Sequence, residues 1–97
     1  MKNVTKEELL TAIQGRVLVD FYADWCAECV ALTPFLEEAE KECDIPILRF
    51  HCDADREFVM DLGIMSIPAL LLFENGKEKA RRIGLSTKEE ILELTQK

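Results

Sequence analysis

Ninety-seven residues, 48% hydrophobic and 32% charged, suffice for one globular domain spanning 1–97 and leave no room for a second. Nineteen acidic residues against twelve basic ones give a net charge of −7, which argues against nucleic acid and anionic membranes as partners. The stretch Met1–Leu10 has no apolar signal core, and no apolar run is long enough to span a bilayer, so a soluble, cytoplasmic monomer is expected.

In chain order, Thr5-Lys6-Glu7-Glu8 has the T-x-x-E form of a capping box, followed by Leu9, Leu10 and Ile13 at helical spacing and by Gly15. Val17 to Tyr22 is almost continuously apolar, broken only by Asp20. It predicts a strand buried on both faces, as at the centre of a parallel sheet. Cys26 to Glu42 predicts a helix whose apolar stripe is Leu32, Phe35, Leu36 and Ala39. Pro34 lies inside it, lacks an amide donor and crowds the preceding turn, so a kink is expected there.

Ile45 to Cys52 reads as a second strand and Asp55 to Leu62 as a short helix closed by Gly63. Pro68 to Phe73 is a third buried strand. Asn75-Gly76 marks a hairpin, which returns Lys77 to Ile83 antiparallel as a polar edge strand. Ser86-Thr87-Lys88-Glu89 reads as a second capping box, opening a last helix with Ile91, Leu92 and Leu94 on its buried side. The order α-β-α-β-α-β-β-α implies an α/β fold: a four-stranded mixed sheet flanked by helices, with no strand before the first helix.

Four cysteines, Cys26, Cys29, Cys43 and Cys52, raise three possibilities: a disulfide framework, a metal site or a catalytic dithiol. A chain this apolar, without an export signal, has no need of disulfide staples. Only Cys26 and Cys29 form a tight pair. Cys43 and Cys52 flank a predicted strand and stand on the order of 20 Å apart, which argues against a four-cysteine zinc site and against a Cys43–Cys52 bridge. Cys52 is expected at the same end of the sheet as W-C-A-E-C, either packed as a small apolar residue or serving as a third thiol. His51 is expected to be a partly exposed strand residue near that end.

W-C-A-E-C lies between the carboxyl end of a buried strand and the start of a helix, where open α/β sheets place their sites. A helix N-terminus favours thiolate over thiol, which makes Cys26 the expected nucleophile. Cys29, one turn on and more buried, suits the resolving role. Glu28 helps the helix start but opposes a thiolate beside it. Asp20, an acid on an apolar strand, either pairs with Arg49 on the next strand to organise the core or accepts a proton from Cys29. If Ile67-Pro68 were cis, the backbone groups of Ser66 and Ile67 would be exposed to an extended peptide.

Taken together, V-D-F-Y-A-D-W-C-x-x-C, Pro34, G-I-M-S-I-P, E-N-G-K and R-I-G resemble the thioredoxin family in order and spacing over nearly the whole chain. The resemblance implies the thioredoxin fold, here without its usual N-terminal strand. It also implies a thiol–disulfide oxidoreductase and electron carrier in cell redox homeostasis, needing no bound cofactor or metal. Its partners would be a thioredoxin reductase and disulfide-containing client proteins. It casts Cys26 as nucleophile, Cys29 as resolving thiol, Asp20 as buried proton acceptor and Pro68 as cis. Trp25, Ser66, Ile67, Ile83, Gly84 and Leu85 would form the substrate-receiving surface.

This chain departs from the family pattern at several positions: Ala27-Glu28 stands for Gly-Pro, Ala69 for Thr after the proline, Arg49 for Lys and Val30 for a basic residue. These departures keep two alternatives in view, an isomerase or oxidase of shifted potential and a non-catalytic binding module of the same fold.

Overall fold

Side chains alternate along the central strand, and that alternation divides the core in two. Val17, Val19 and Phe21 pack with Leu9, Phe50, Val59 and Leu71 on one face of the sheet. Leu18 points the other way, into a cluster with Leu32, Leu36, Ile47, Leu72 and Ile91. Asp20 shares the face of Leu18 and is completely buried.

The computed structural model describes residues 1–97. Its elements are β1 (Lys2–Asn3), α1 (Lys6–Ala12), β2 (Arg16–Tyr22), α2 (Ala27–Glu40), β3 (Ile47–His51), α3 (Arg56–Asp61), β4 (Ala69–Glu74), β5 (Lys77–Ile83) and α4 (Lys88–Leu94). The sheet order is β1-β3-β2-β4-β5. Strands β1, β3 and β2 run parallel, whereas β4 is antiparallel to β2 and β5 to β4. No helix is long and apolar enough to cross a membrane.

The expected element order is present, but the sheet has five strands rather than four. The extra strand, β1, pairs Lys2 with Leu48 and Asn3 with Arg49, and both of its side chains are exposed. A two-residue edge strand without a buried face leaves no hydrophobic period to read. Two further expectations shift. The last helix is capped one residue later than expected: Thr87 and Glu90 form the reciprocal box. Ser86 is buried instead, accepting from Arg82 Nε at 2.8 Å. Phe35, expected in the apolar stripe of α2, is 39% exposed, while Leu32, Leu36 and Ala39 carry the buried side.

Local signals close the remaining ends. Thr5 and Glu8 form the capping box of α1. Asn75 and Gly76, both at positive φ (55° and 79°), turn the hairpin between β4 and β5 as such a dipeptide should. Helix α2 runs unbroken through Pro34.

Candidate functional site at the carboxyl end of the central strand

The chain leaves β2 at Tyr22 and enters α2 at Ala27, with Cys26 as N-cap. Its backbone is extended (φ −94°, ψ 110°), so its side chain folds back over the first turn of the helix. The Cys29 amide donates to Cys26 Sγ at 3.2 Å, satisfying one of the unpaired donors at the helix start. The Cys26 sulfur thus meets a backbone N–H at the positive end of a helix.

Cys29 lies one turn further in and is 1% exposed, against 9% for Cys26. Burial, the hydrogen bond with Cys26 and the negative charge of Asp20 push its thiol up to about 12. The two sulfurs therefore differ in environment, one capped by an amide and one sealed beneath it.

Asp20 lies under this pair on β2. Parallel register sets it opposite Arg49 on β3, whose Nε donates to Asp20 Oδ2 at 3.0 Å. The other oxygen, Oδ1, is buried and has no hydrogen-bond partner. Burial pushes this carboxyl up to about 6 against the opposing pull of Arg49. Both readings of Asp20 thus have a counterpart: it pairs with Arg49, and it keeps one oxygen free.

The Ile67-Pro68 bond is cis. The Cys26 thiol donates to the Ile67 carbonyl at 3.7 Å, which sets this loop directly against the dithiol. Pro68 is buried, and its carbonyl accepts from the Gly84 amide at 2.8 Å. Gly84 takes φ +94°, a conformation that costs a residue with a Cβ but not glycine, and it carries Ile83 and Leu85 outward, 46% and 50% exposed. A Cβ at Gly84 would lie 4.0 Å from Glu28 Oε2, so the acid between the cysteines reaches across to this loop.

Trp25, Cys52, Met60, Met65, Ser66 and Ile67 line a groove of about 230 Å³. Trp25 is 69% exposed, yet its Nε1 donates to Asp53 Oδ2 at 3.0 Å. The expected site residues are thus gathered around one dithiol. Asp53 was not legible in the sequence, because no local pattern links it to a tryptophan 28 residues away.

Cys52 does lie at this end of the sheet, and it packs into the core with Val59 and Ile64. Burial, followed by the charges of Asp20 and Asp53, pushes its thiol up to about 11, which suits a packing residue. Cys43 lies beyond the opposite end of β3, its thiol donating to the Ile45 carbonyl at 3.3 Å. His51 is half-buried near the site and pairs with Asp24 at 3.1 Å.

The thioredoxin family model matches residues 1–97. A thioredoxin of Chlamydia muridarum is 43% identical over 84 residues, covering 86% of this chain and 82% of that protein. One of Chlamydia trachomatis is 38% identical over 96 residues, covering 97% and 94%. Among solved structures, a thioredoxin of Plasmodium falciparum superposes with TM-score 0.89 at 27% identity, covering 99% of this chain and 97% of that one. A mutant thioredoxin from Halobacterium salinarum gives 0.86 at 28%, covering 99% and 87%. The chain belongs to the thioredoxin family of protein-disulfide oxidoreductases.

Proposed function

We propose that residues 1–97 act as a single, monomeric domain that reduces disulfides in client proteins of the cytoplasm and so serves cell redox homeostasis. A thioredoxin reductase restores the dithiol. The observation that carries this reading is the Cys29 amide held at 3.2 Å from Cys26 Sγ, beside the cis Ile67-Pro68 loop. It sets the more exposed sulfur at a helix start next to backbone that an extended client segment can pair with.

The Cys26 thiolate attacks one sulfur of a client disulfide. The Cys26–client bond forms, the client S–S bond breaks, and the second client sulfur leaves as a thiolate. Asp20 then takes the proton of the Cys29 thiol, its unpartnered Oδ1 being the open acceptor. The Cys29 thiolate attacks Cys26 Sγ, forming the Cys26–Cys29 disulfide, breaking the Cys26–client bond and releasing the first client sulfur as a thiolate. Two electrons have passed from the dithiol to the client, and the reductase returns them.

The client segment lies against Trp25, Ser66, Ile67 and Pro68 on one side and Ile83, Gly84 and Leu85 on the other. These residues offer apolar surface and free backbone groups around the sulfur that reacts. The test is dithiothreitol-driven reduction of insulin. Turnover well above background, abolished in Cys26→Ser, is expected; a rate equal to background in the unmodified protein overturns the proposal.

A further inference from the structure

Arg49 is held on three sides. Its Nε donates to Asp20 Oδ2 at 3.0 Å, its Cζ lies 3.9 Å over the Tyr22 ring, and its Nη2 reaches Thr33 Oγ1 at 3.5 Å. Each holder is itself fixed. The Thr33 hydroxyl donates to the Cys29 carbonyl at 3.2 Å. The Tyr22 hydroxyl accepts from Asn3 Nδ2 at 3.1 Å, which makes the short strand β1 part of the same chain of contacts.

This fixing matters because an exit is open beside the guanidinium. Tyr22, Cys29, Thr33, Pro34 and Arg49 line a solvent-facing cavity of about 330 Å³. A long cationic side chain at such an opening turns its head group to water unless something retains it. A ring face and a hydroxyl, one from β2 and one from α2, retain it here.

We propose that Tyr22 and Thr33 form a two-sided clamp that keeps Arg49 on Asp20, making them positioning residues for the proton acceptor beneath the dithiol. Neither side chain hydrogen-bonds to a sulfur. The groups that share Asp20's field are Arg49 on β3, Cys29 at the start of α2 and Cys52 just past β3. Across the sheet, β4 presents only apolar Leu70. Both thiols are held protonated near neutral pH, so Arg49 is the one charge stabilising the Asp20 carboxylate. Loosening it must move the ionisation of Asp20 upward.

The experiment is a carbon-13 NMR titration of the Asp20 carboxyl in the reduced protein, assigned by its loss in Asp20→Asn. Tyr22→Leu and Thr33→Val each raise the midpoint by about half a pH unit, whereas Tyr22→Phe and Thr33→Ser, which keep the ring face and the hydroxyl, restore it. Thr33→Val keeps the test open if Tyr22→Leu fails to fold. In an Arg49→Met background Thr33→Val has no further effect. An unmoved midpoint in Thr33→Val, or an undiminished effect without Arg49, overturns the clamp. The kinetic consequence rests on Asp20 serving Cys29, but the titration does not. An Asp20→Asn variant that resolves mixed disulfides at the normal rate therefore removes that role and leaves the clamp standing.

Discussion

Asp20 and Arg49 face each other across two parallel strands, joined through Oδ2 at 3.0 Å while Oδ1 stays buried and unpartnered. One oxygen is neutralised by the cation and the other is stranded. The pair is therefore a compromise: the acid stays ionisable, but its ionisation costs the fold stability.

That cost has a definite pH window. The carboxyl titrates at about 6 in the folded chain against an ordinary value of 3.8, so between these values the folded state holds the proton more tightly than the unfolded state. Stability thus falls as pH rises through the window, because the native state binds more protons there. Asp20→Asn removes the titration and leaves Arg49 less well paired. It is expected to stabilise the protein by about 1–2 kcal/mol at pH 8 relative to wild type, with the difference vanishing near pH 4. Urea unfolding at the two pH values checks this.

The same variant separates stability from catalysis. If Asp20 receives the Cys29 proton, release of a mixed disulfide slows about 10²-fold in Asp20→Asn at pH 7. In the wild-type protein that step slows as pH falls through about 6, where the acceptor becomes occupied. Stopped-flow release of a fluorescent client thiol measures both.

Trp25 is the only tryptophan, and it stays largely exposed while tethered to Asp53. Surface aromatics held in place make strong contacts at low entropic cost. Trp25→Ala is expected to lower kcat/KM for insulin about tenfold, and Asp53→Ala, which frees the ring without removing it, about two- to threefold. The fluorescence of Trp25 in Asp53→Ala reports the loss of the tether directly.

Glu28 stands in the first turn of α2, between the two cysteines and beside Gly84. Its charge opposes a thiolate at Cys26. Glu28→Gln is expected to raise the rate of Cys26 alkylation by iodoacetamide at pH 7 about two- to threefold, the effect of one screened surface charge. An unchanged rate would leave Glu28 only its reach toward the client surface.

Cys52 is 7% exposed and protonated near neutral pH, so it should behave as packing rather than as a reagent. In native protein at pH 8 it is expected to be alkylated far more slowly than Cys26. Cys52→Ala should cost about 1 kcal/mol of stability and leave inactivation by peroxide unchanged. Mass spectrometry of labelled peptides and a peroxide inactivation curve decide it.

The site was legible where chemistry and periodicity coincide. An acid in an apolar strand, a C-x-x-C at a helix start and a proline opening a strand are local signals, and Asp20, Cys26, Cys29 and Pro68 meet around one point. What escaped was held by distance or by backbone alone. Strand β1 buries no side chain, so no hydrophobic period announces Lys2 and Asn3. Asp53, Tyr22 and Thr33 take their places from contacts 16 to 28 residues apart in sequence, across elements whose packing a linear pattern does not encode. At the last helix two capping-box patterns stand in adjacent frames, S-x-x-E from Ser86 and T-x-x-E from Thr87, and Arg82 claims the serine, which leaves the cap to Thr87.

The division of labour between the two sulfurs is the centre of this account, and a trapping measurement tests it most directly. Cys29→Ser is incubated with a disulfide-containing client and the adduct is mapped by mass spectrometry. The predicted result is a stable client disulfide on Cys26 alone, which does not accumulate in the unmodified protein. An adduct on Cys43 or Cys52 instead, or none at all, would contradict it.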